Sequence, residues 1–443
     1  MIEIITVGGY SEVGRNMTVL KYKDEVVILD MGVHLERYIK FKGDDELELF
    51  SYKDLKEANA VPDDGCIKQY RKKVVAIIPS HAHLDHIGAI PYMAQRYDCP
   101  VICTPYTVAV IRAILADKKM NIPNEIRVLE NGKKMKLSDS LTVEFVNITH
   151  SIPDAAMVVI HTPEGQIVYT NDFKLDNTPV IGEKPDYNRI LELGHEGKVL
   201  ACFLDSIYAF LPKKTPSESV AKEMLKKVML ENNSDAVVVT TFSSHIARLK
   251  SVVEFGKKMK RKIVFLGRSL AKYVYAAQSI GIIDFSTMVE IIPYKNQISR
   301  TLKKIDKEGR EKYLIVATGH QGEPDAVLSK IANEKFQFRL MPQDHVIFSC
   351  NIIPSPLNIA NRQVLEKKLL NSNVRIFRDV HQSGHAARED HRDMIKMLRP
   401  RHIIPSHVGQ DKAMAMVSLA EELGYKSGKD VHVMNDGKKL EIR

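Results

Sequence analysis

The sequence predicts an α/β protein in two parts, a first domain whose chain is interrupted by an inserted parallel α/β domain. Three observations predict this class. Short β-rich segments open the chain and give way to mixed strands and helices; from residue 209 to 374 strand and helix alternate regularly; after 374 a shorter mixed style returns. Near-continuous apolar strands, as in the middle stretch, suit a parallel sheet covered on both faces. The predicted boundaries are 1–208 and 375–443 for the two parts of the first domain and 209–374 for the insertion. The 443-residue length exceeds the usual single-domain range, and 44% hydrophobic content is enough for more than one core.

The elements follow in order. "IEIITVGG", "MTVLKY" and "EVVILDMG" alternate or run apolar and are broken by glycine and charge, as paired strands are. The hydrophilic stretch 36–72 reads as a surface insertion. "KVVAIIP", "VICT", "LTVEFVNI", "MVVIHT" and "GQIVYTND" read as strands, and "IGAIPYMAQRY" and "PYTVAVIRAILADKK" as helices. After "ACFLDSIYAF" come a helix over 216–231, strand "AVVVTTF", a helix from 245, strand "KIVFLG", a helix over 270–279, and strands "YLIVATG" and "HVIFSC". There are no repeats and no low-complexity tract.

Composition narrows the function classes. Five scattered cysteines without a C-x-x-C pair make a poor disulfide framework and predict a reducing, cytoplasmic setting. The start lacks a signal-peptide pattern, and no apolar run approaches the roughly 20 residues of a membrane span, so no membrane partner is expected. The net charge of +9 favours a polyanionic partner. The densest basic run, "KKMKRK" at 257–262, reads equally as an RNA contact or a solvated helix face, whereas "LKKIDKEGREK" mixes both signs and reads as a solvated helix.

The strongest signal is "SHAHLDH", directly after an apolar strand. Alternate residues of extended chain share a face, so His81 and His83 can point together, with Asp85 and His86 following as the chain turns into a helix. These residues supply half of a dinuclear site, because two ions need about four ligands each, water included. The other half is sought at later strand ends, where a rigid scaffold holds loop residues: His150 in "NITHSIPDA", Asp172 in "YTNDF" and His407 in "HIIPSHVG". The predicted assignment is His81, His83 and His150 on one ion, Asp85, His86 and His407 on the other, and Asp172 bridging. Imidazole with carboxylate suits two zinc ions, with manganese or magnesium as alternatives, and a hydroxide between the ions is the expected nucleophile. Asp30, after "VVIL", is expected to orient the His81 loop from behind.

These residues resemble the metallo-β-lactamase superfamily, whose hallmark is H-x-H-x-D-H on an αββα sandwich. "LDSIYA" with Asp205, "HQSGHA" with His385 and "PSH" with His407 are similar to the further motifs of its β-CASP nucleases, in which a β-CASP domain is inserted. "THSIPDA", "NDFKLDNTP", "GRSL", "TGHQGEP" and "HQSGHAARED" narrow the resemblance to the ribonuclease J family, from residue 6 to about 410. Leu84, His245 and His320 depart from the bacterial pattern of an acidic residue, asparagine and serine, so the likeness is to the shorter archaeal group. Dimerisation through the extra C-terminal domain of the bacterial relatives is not carried over, although a homodimer and RNA-decay protein partners remain expectations.

The resemblance implies hydrolysis of single-stranded RNA from a 5′-monophosphate end, releasing nucleoside 5′-monophosphates. His385 is then expected to bond a phosphate oxygen and protonate the leaving 3′ oxygen, Asp205 to orient it, Asp85 to act as ligand and catalytic group, and His381 and Ser383 to offer further donors. A pocket for the 5′ phosphate is expected on loops after the inserted domain's strands: Ser243, Ser244, His245 and Arg248; Arg268; and Gln321, Gly322 and Glu323. Two other readings compete: an endoribonuclease of the RNA 3′-end processing type, and a non-catalytic RNA-binding scaffold. The complete set of seven candidate ligands argues against the scaffold.

Overall fold

The computed structural model describes residues 1–42, 50–230 and 235–442. It divides into two units. One comprises Met1–Asn177, Gly182–Thr215 and Ser383–Arg443, and the other comprises Thr178–Ile181 and Pro216–Gln382.

The first unit is built on two sheets. One has seven strands in the order Lys438–Ile442, Ile2–Gly8, Met17–Tyr22, Glu25–Leu29, Val74–Ile78, Val101–Cys103 and Ile126–Val128. The other has six, in the order His402–Ser406, Val199–Asp205, Gly165–Tyr169, Ala156–Thr162, Thr142–Asn147 and Lys134–Lys136. Their inner faces share one apolar core: Ile4, Leu20, Val27 and Ile78 from the first sheet meet Phe145, Val158, Tyr169 and Phe203 from the second. The outer face of the second sheet packs Val168, Cys202 and Ile403 against Ile190, Leu193, Met394, Leu398 and Met416. These last residues lie on helices Tyr187–His195, Arg388–Leu398 and Gln410–Glu422. Helix Pro105–Lys118 buries Val108, Ile111 and Ile114. The layering is the αββα sandwich expected from the sequence, and period-two strands with opposite faces buried explain it.

The second unit carries a six-stranded, wholly parallel sheet in the order Val289–Ile292, Lys262–Leu266, Tyr313–Ala317, Val237–Thr240, His345–Phe348 and Arg375–Phe377. Val238, Val264, Ile315 and Val346 are buried in its middle. Parallel strands need long crossovers, here helices such as Ile246–Lys258 and Arg268–Ser279, and this connectivity produced the alternation read in the sequence.

Three local expectations change. The stretch 36–72 is not all surface: Leu55, Ala60, Val61 and Ile67 are buried, and the buried Asp64 carboxylate accepts bonds from Arg71, Arg96, Tyr52 and Tyr97. Its residues 43–49, and residue 231 of the expected 216–231 helix, lie outside the described residues. "IGAIPYMAQRY" is not one helix: short helices Leu84–Ile87 and Ile90–Met93 flank Gly88 and Ala89, and Pro91 in the first turn of the second lacks the N–H needed to continue a helix from before it. The basic run 257–262 straddles the end of helix Ile246–Lys258. Lys258 pairs with Glu254, Arg261 donates to backbone oxygens of Asp235 and Tyr313, and Lys262 pairs with Glu308. Those partners favour the solvated-face reading. Among the described residues, no helix is long and apolar enough to cross a membrane. All five cysteines are free thiols, four of them buried.

Candidate metal centre and catalytic dyad

The seven expected ligands converge in the first unit: His81, His83, His150, Asp172 and His407 on loops beyond strand ends, and Asp85 and His86 on the short helix Leu84–Ile87. Two four-residue groups form, each with its ligand atoms within 4.8 Å of one another: His81, His83, His150 and Asp172, and Asp85, His86, Asp172 and His407. Asp172 belongs to both. In the first group, Nε2 of His81 lies 2.9 Å and Nε2 of His150 3.2 Å from Nδ1 of His83, and both Nε2 atoms are 3.9 Å from Oδ2 of Asp172. In the second, Nε2 of His86 is 3.2 Å and Nε2 of His407 3.7 Å from the same oxygen, and they lie 3.7 and 3.4 Å from Oδ2 of Asp85.

These donors fit a divalent cation. Ligands about 2.0–2.1 Å from a tetrahedral ion sit roughly 3.3 Å apart, close to the spacing here. The second carboxylate oxygen of Asp172 is buried with no hydrogen-bond partner, a costly arrangement for a charged group that a cation relieves. Burial holds the imidazoles of His81 and His150 well below their ordinary pKa and brings His83 to about 4, which keeps their lone pairs available as ligands. Burial also opposes charging of His86, but Asp172, Asp30 and Asp85 outweigh it and raise this group well above its ordinary value. Burial raises Asp172, yet His407, His86 and His385 together hold it well below the carboxylate range.

The surroundings aim the ligands. Asp30 is fully buried and accepts four bonds: from Ser80 N at 2.7 Å, Ser80 Oγ at 2.6 Å, His86 Nδ1 at 2.7 Å and Tyr169 OH at 2.8 Å. It therefore fixes both the residue before His81 and the ring of His86, as outer partners of metal-site histidines do. His150 Nδ1 donates to Gly384 O at 2.7 Å, and His407 Nδ1 donates to Asn16 Oδ1 at 2.9 Å. Asn171 sets its amide 2.7 Å from His81 Nδ1; with its oxygen turned to that nitrogen it accepts Nδ1–H and leaves Nε2 facing the cluster. Asp30, Asn171 and His407 each lie within two residues of a strand end and take φ of 60°, 61° and 61°, a left-handed turn that Asp, Asn and His tolerate better than most residues. Gly32 packs on the ligand loop so closely that a Cβ there would lie 1.6 Å from Asp85 O.

A third group joins Asp172 to Asp205 and His385. His385 Nδ1 donates to Asp205 Oδ2 at 2.6 Å and lies 3.9 Å from Asp172 Oδ2, while Asp205 Oδ1 accepts from Ile207 N. Burial lowers the His385 pKa, but Asp205 and Asp172 overcome it and carry it to about 9. Ser383 Oγ caps the segment by accepting from His385 N at 3.0 Å. Sequence reasoning missed Asn16, Ser80, Tyr169, Asn171 and the Gly384 carbonyl. Ser80 and Asn171 adjoin predicted ligands and were within reach; Asn16 and Tyr169 carry no local signal.

In the second unit the expected RNA contacts separate. Ser243, bonded to Ser269 at 2.9 Å, is half-buried, as are Arg268, Glu323 and His381. Ser244 and His245 are buried. Arg248 corrects the expectation: it is fully buried, bonded to both carboxylate oxygens of Glu218 at 2.6 and 2.8 Å and to Ser349 O and Oγ at 2.8 Å, so its donors serve the fold. Gln321 is likewise internal, donating to Asn351 O and accepting from Ile353 N. Gly322, at φ +80°, lies where a Cβ would meet Asn361 O at 2.4 Å, so its place in the run is conformational.

Comparison with known proteins agrees with this architecture. Residues 10–240 match the metallo-β-lactamase superfamily, residues 234–366 the ribonuclease J β-CASP domain, and residues 373–434 the Zn-dependent metallo-hydrolase RNA specificity domain. Ribonuclease J of Methanocaldococcus jannaschii is 46% identical, over 99% of this chain and 98% of that protein. Ribonuclease J of Pyrococcus abyssi is 44% identical, over 100% and 97%, and that of Synechocystis 30%, over 100% and 66%. A crystal structure of a protein of unknown function from Enterococcus faecalis superposes with a TM-score of 0.66 at 18% identity, covering 100% of both chains, and shares the fold alone. With full-length relatives at this identity and all three domain types in order, the chain belongs to the ribonuclease J family.

Proposed function

We propose that the chain is a metal-dependent 5′-to-3′ exoribonuclease that hydrolyses single-stranded RNA from a 5′-monophosphate end and releases nucleoside 5′-monophosphates. At the coarser level, its family and metallo-hydrolase fold support a ribonuclease, and the RNA specificity domain supports RNA as substrate. The observation that carries the reading is the shared Asp172: two four-ligand groups and the His385–Asp205 pair all meet at its carboxylate.

His81, His83 and His150 would hold one divalent cation and Asp85, His86 and His407 a second, with Asp172 between them and zinc the best match to the donors. When bound, such ions make water acidic enough to attack at neutral pH and stabilise charge on the phosphorus centre. The protein's own groups do the rest. Asp205 accepts a hydrogen bond from Nδ1–H of His385 and favours the protonated ring, whose Nε2–H can bond a phosphate oxygen and pass its proton to the leaving 3′ oxygen. In the second unit, Ser243 and Arg268 are the groups we assign to the 5′ phosphate, Glu323 and His381 to sugar or base, with Ser244 and His245 shaping the loop behind them. Cytoplasmic RNA decay or trimming, as a homodimer with RNA-decay partners, completes the reading.

The test offers the purified protein, supplied with zinc or manganese, one RNA in two forms, linear with a 5′-monophosphate and covalently closed. Loss of the linear form to mononucleotides with survival of the circle supports the proposal; cutting of the circle moves the endoribonuclease reading ahead of it. Arg268→Ala should erase any preference for 5′-monophosphate over 5′-triphosphate RNA, and a preference that persists would place the phosphate pocket elsewhere.

A further inference from the structure

We infer that the segment leaving Asp205 forms an aromatic stacking subsite for an RNA base beside the reacting phosphate, with Tyr208 as its inner ring and Phe210 as its outer one. The inference rests on the ribonuclease reading and adds a substrate contact to it. Three observations converge. Tyr208 stands edge-on to the His385 ring, centroids 6.1 Å apart, and Phe210 follows it at 6.2 Å, so a line of rings runs outward from the catalytic histidine. Phe210 is 50% exposed, a large apolar ring left in water two residues beyond a half-buried one. The segment is held firmly: Leu211 N donates to Tyr208 O, Arg388 N donates to Leu211 O, Glu389 N donates to Lys213 O, and Tyr208 pairs in parallel with Ala387.

Tyr208 also packs against the small cluster of Ile207, Val408 and Ala413. The inner ring is therefore fixed by this apolar cluster on one side and faces the His385 ring on another. What singles out Phe210 among the exposed rings is its place in line with Tyr208 and His385, and single-stranded RNA offers flat faces that stack on such a ring whatever the base. Lys213, exposed three residues on, adds positive charge for the backbone of the same strand. With no tryptophan in the chain, tyrosine and phenylalanine are the large rings available for this task.

The experiment compares wild type, Phe210→Ala and Phe210→Trp on a 5′-monophosphorylated RNA and on the same RNA with the base removed, in turn, from each of the first three nucleotides. Both KM for cleavage and binding of the fluorescently labelled RNA, read by anisotropy, are measured. The subsite predicts that Phe210→Ala weakens binding and raises KM about tenfold, the scale of one lost base stack, and that Phe210→Trp restores both. It also predicts one abasic position that penalises wild type but not Phe210→Ala. Equal abasic penalties in the two proteins, or unchanged KM and binding in Phe210→Ala while wild type cuts RNA normally, overturn the subsite alone. A wild type that cuts no RNA overturns the ribonuclease reading and the subsite with it. Phe210 is half in solvent, so its replacement does not open the core.

Discussion

The strand ends of the two units use polar residues in opposite ways. In the first unit, the residues beyond strands Val74–Ile78, Thr142–Asn147, Gly165–Tyr169 and His402–Ser406 turn their ligand atoms toward one another, and a ring of further polar groups holds them there. In the inserted unit, motif residues beyond the parallel strands turn inward: Arg248 clasps Glu218 and Ser349, and Gln321 ties down the loop at Asn351 and Ile353. Converging like donors is unfavourable in a fold without a ligand, whereas pairing opposite charges inside is what a fold without one does. The comparison separates a site from a scaffold more sharply than the presence of polar residues at strand ends does.

Breaking the first arrangement should have the largest effect. Asp85→Ala or His86→Ala removes a ligand from the second group and should lower RNA hydrolysis by about 100-fold or more while RNA affinity changes little, read by kcat beside equilibrium binding. Turnover at the wild-type rate in either variant would remove both residues from the centre. Breaking the inward pair should instead strike the fold: Glu218→Gln leaves the buried guanidinium of Arg248 short of a counter-charge and should cost about 3–5 kcal/mol in urea unfolding. A loss within about 0.5 kcal/mol would mean that Arg248 finds its compensation elsewhere.

A subtler change sharpens the same contrast. Asp30→Asn keeps the shape behind His81 and His86 but removes charge and one acceptor, and should weaken metal affinity about 10- to 100-fold without unfolding the unit. Competition with a chromophoric chelator measures it. The smallest expected effect lies away from both sites. Burial raises the Glu144 pKa, but bonds from His161 and Arg189 bring it to about 2, below its ordinary 4.5. A carboxylate depressed in the folded state adds stability that is complete above pH 4.5 and is lost as pH falls toward 2. Between those values wild type should lose unfolding free energy more steeply with falling pH than Glu144→Gln; equal slopes would show that the cluster contributes nothing.

Much of this was legible in the residues. "HAHLDH" after an apolar run is dense enough to point to metal, and His150, Asp172 and His407 were proposed because each is an isolated ligand type after a strand; the structure brings all three into the two candidate groups. The αββα sandwich and its insertion were legible because strand periodicity and α/β alternation are local patterns. What stayed hidden depends on the direction of a side chain. Arg248 and Ser243 stand in the same run "TTFSSHIARLK", yet one faces a buried glutamate thirty residues earlier and the other is half-buried against Ser269. Asn16 reaches His407 across 391 positions, a distance no local pattern records. The stretch 36–72 misled because its hydrophilic residues surround one buried aspartate that gathers four donors.

The most direct test of the central claim counts metal and activity together. Wild type, His150→Ala and His407→Ala, each loaded with zinc and freed of excess, are assayed for bound metal by mass spectrometry and for hydrolysis of a 5′-monophosphorylated RNA. The account predicts two ions per chain and active RNA cleavage in wild type, one ion in each variant, and loss of cleavage in both. Wild-type cleavage that persists after complete removal of metal, or variants that keep both ions and full activity, would contradict it.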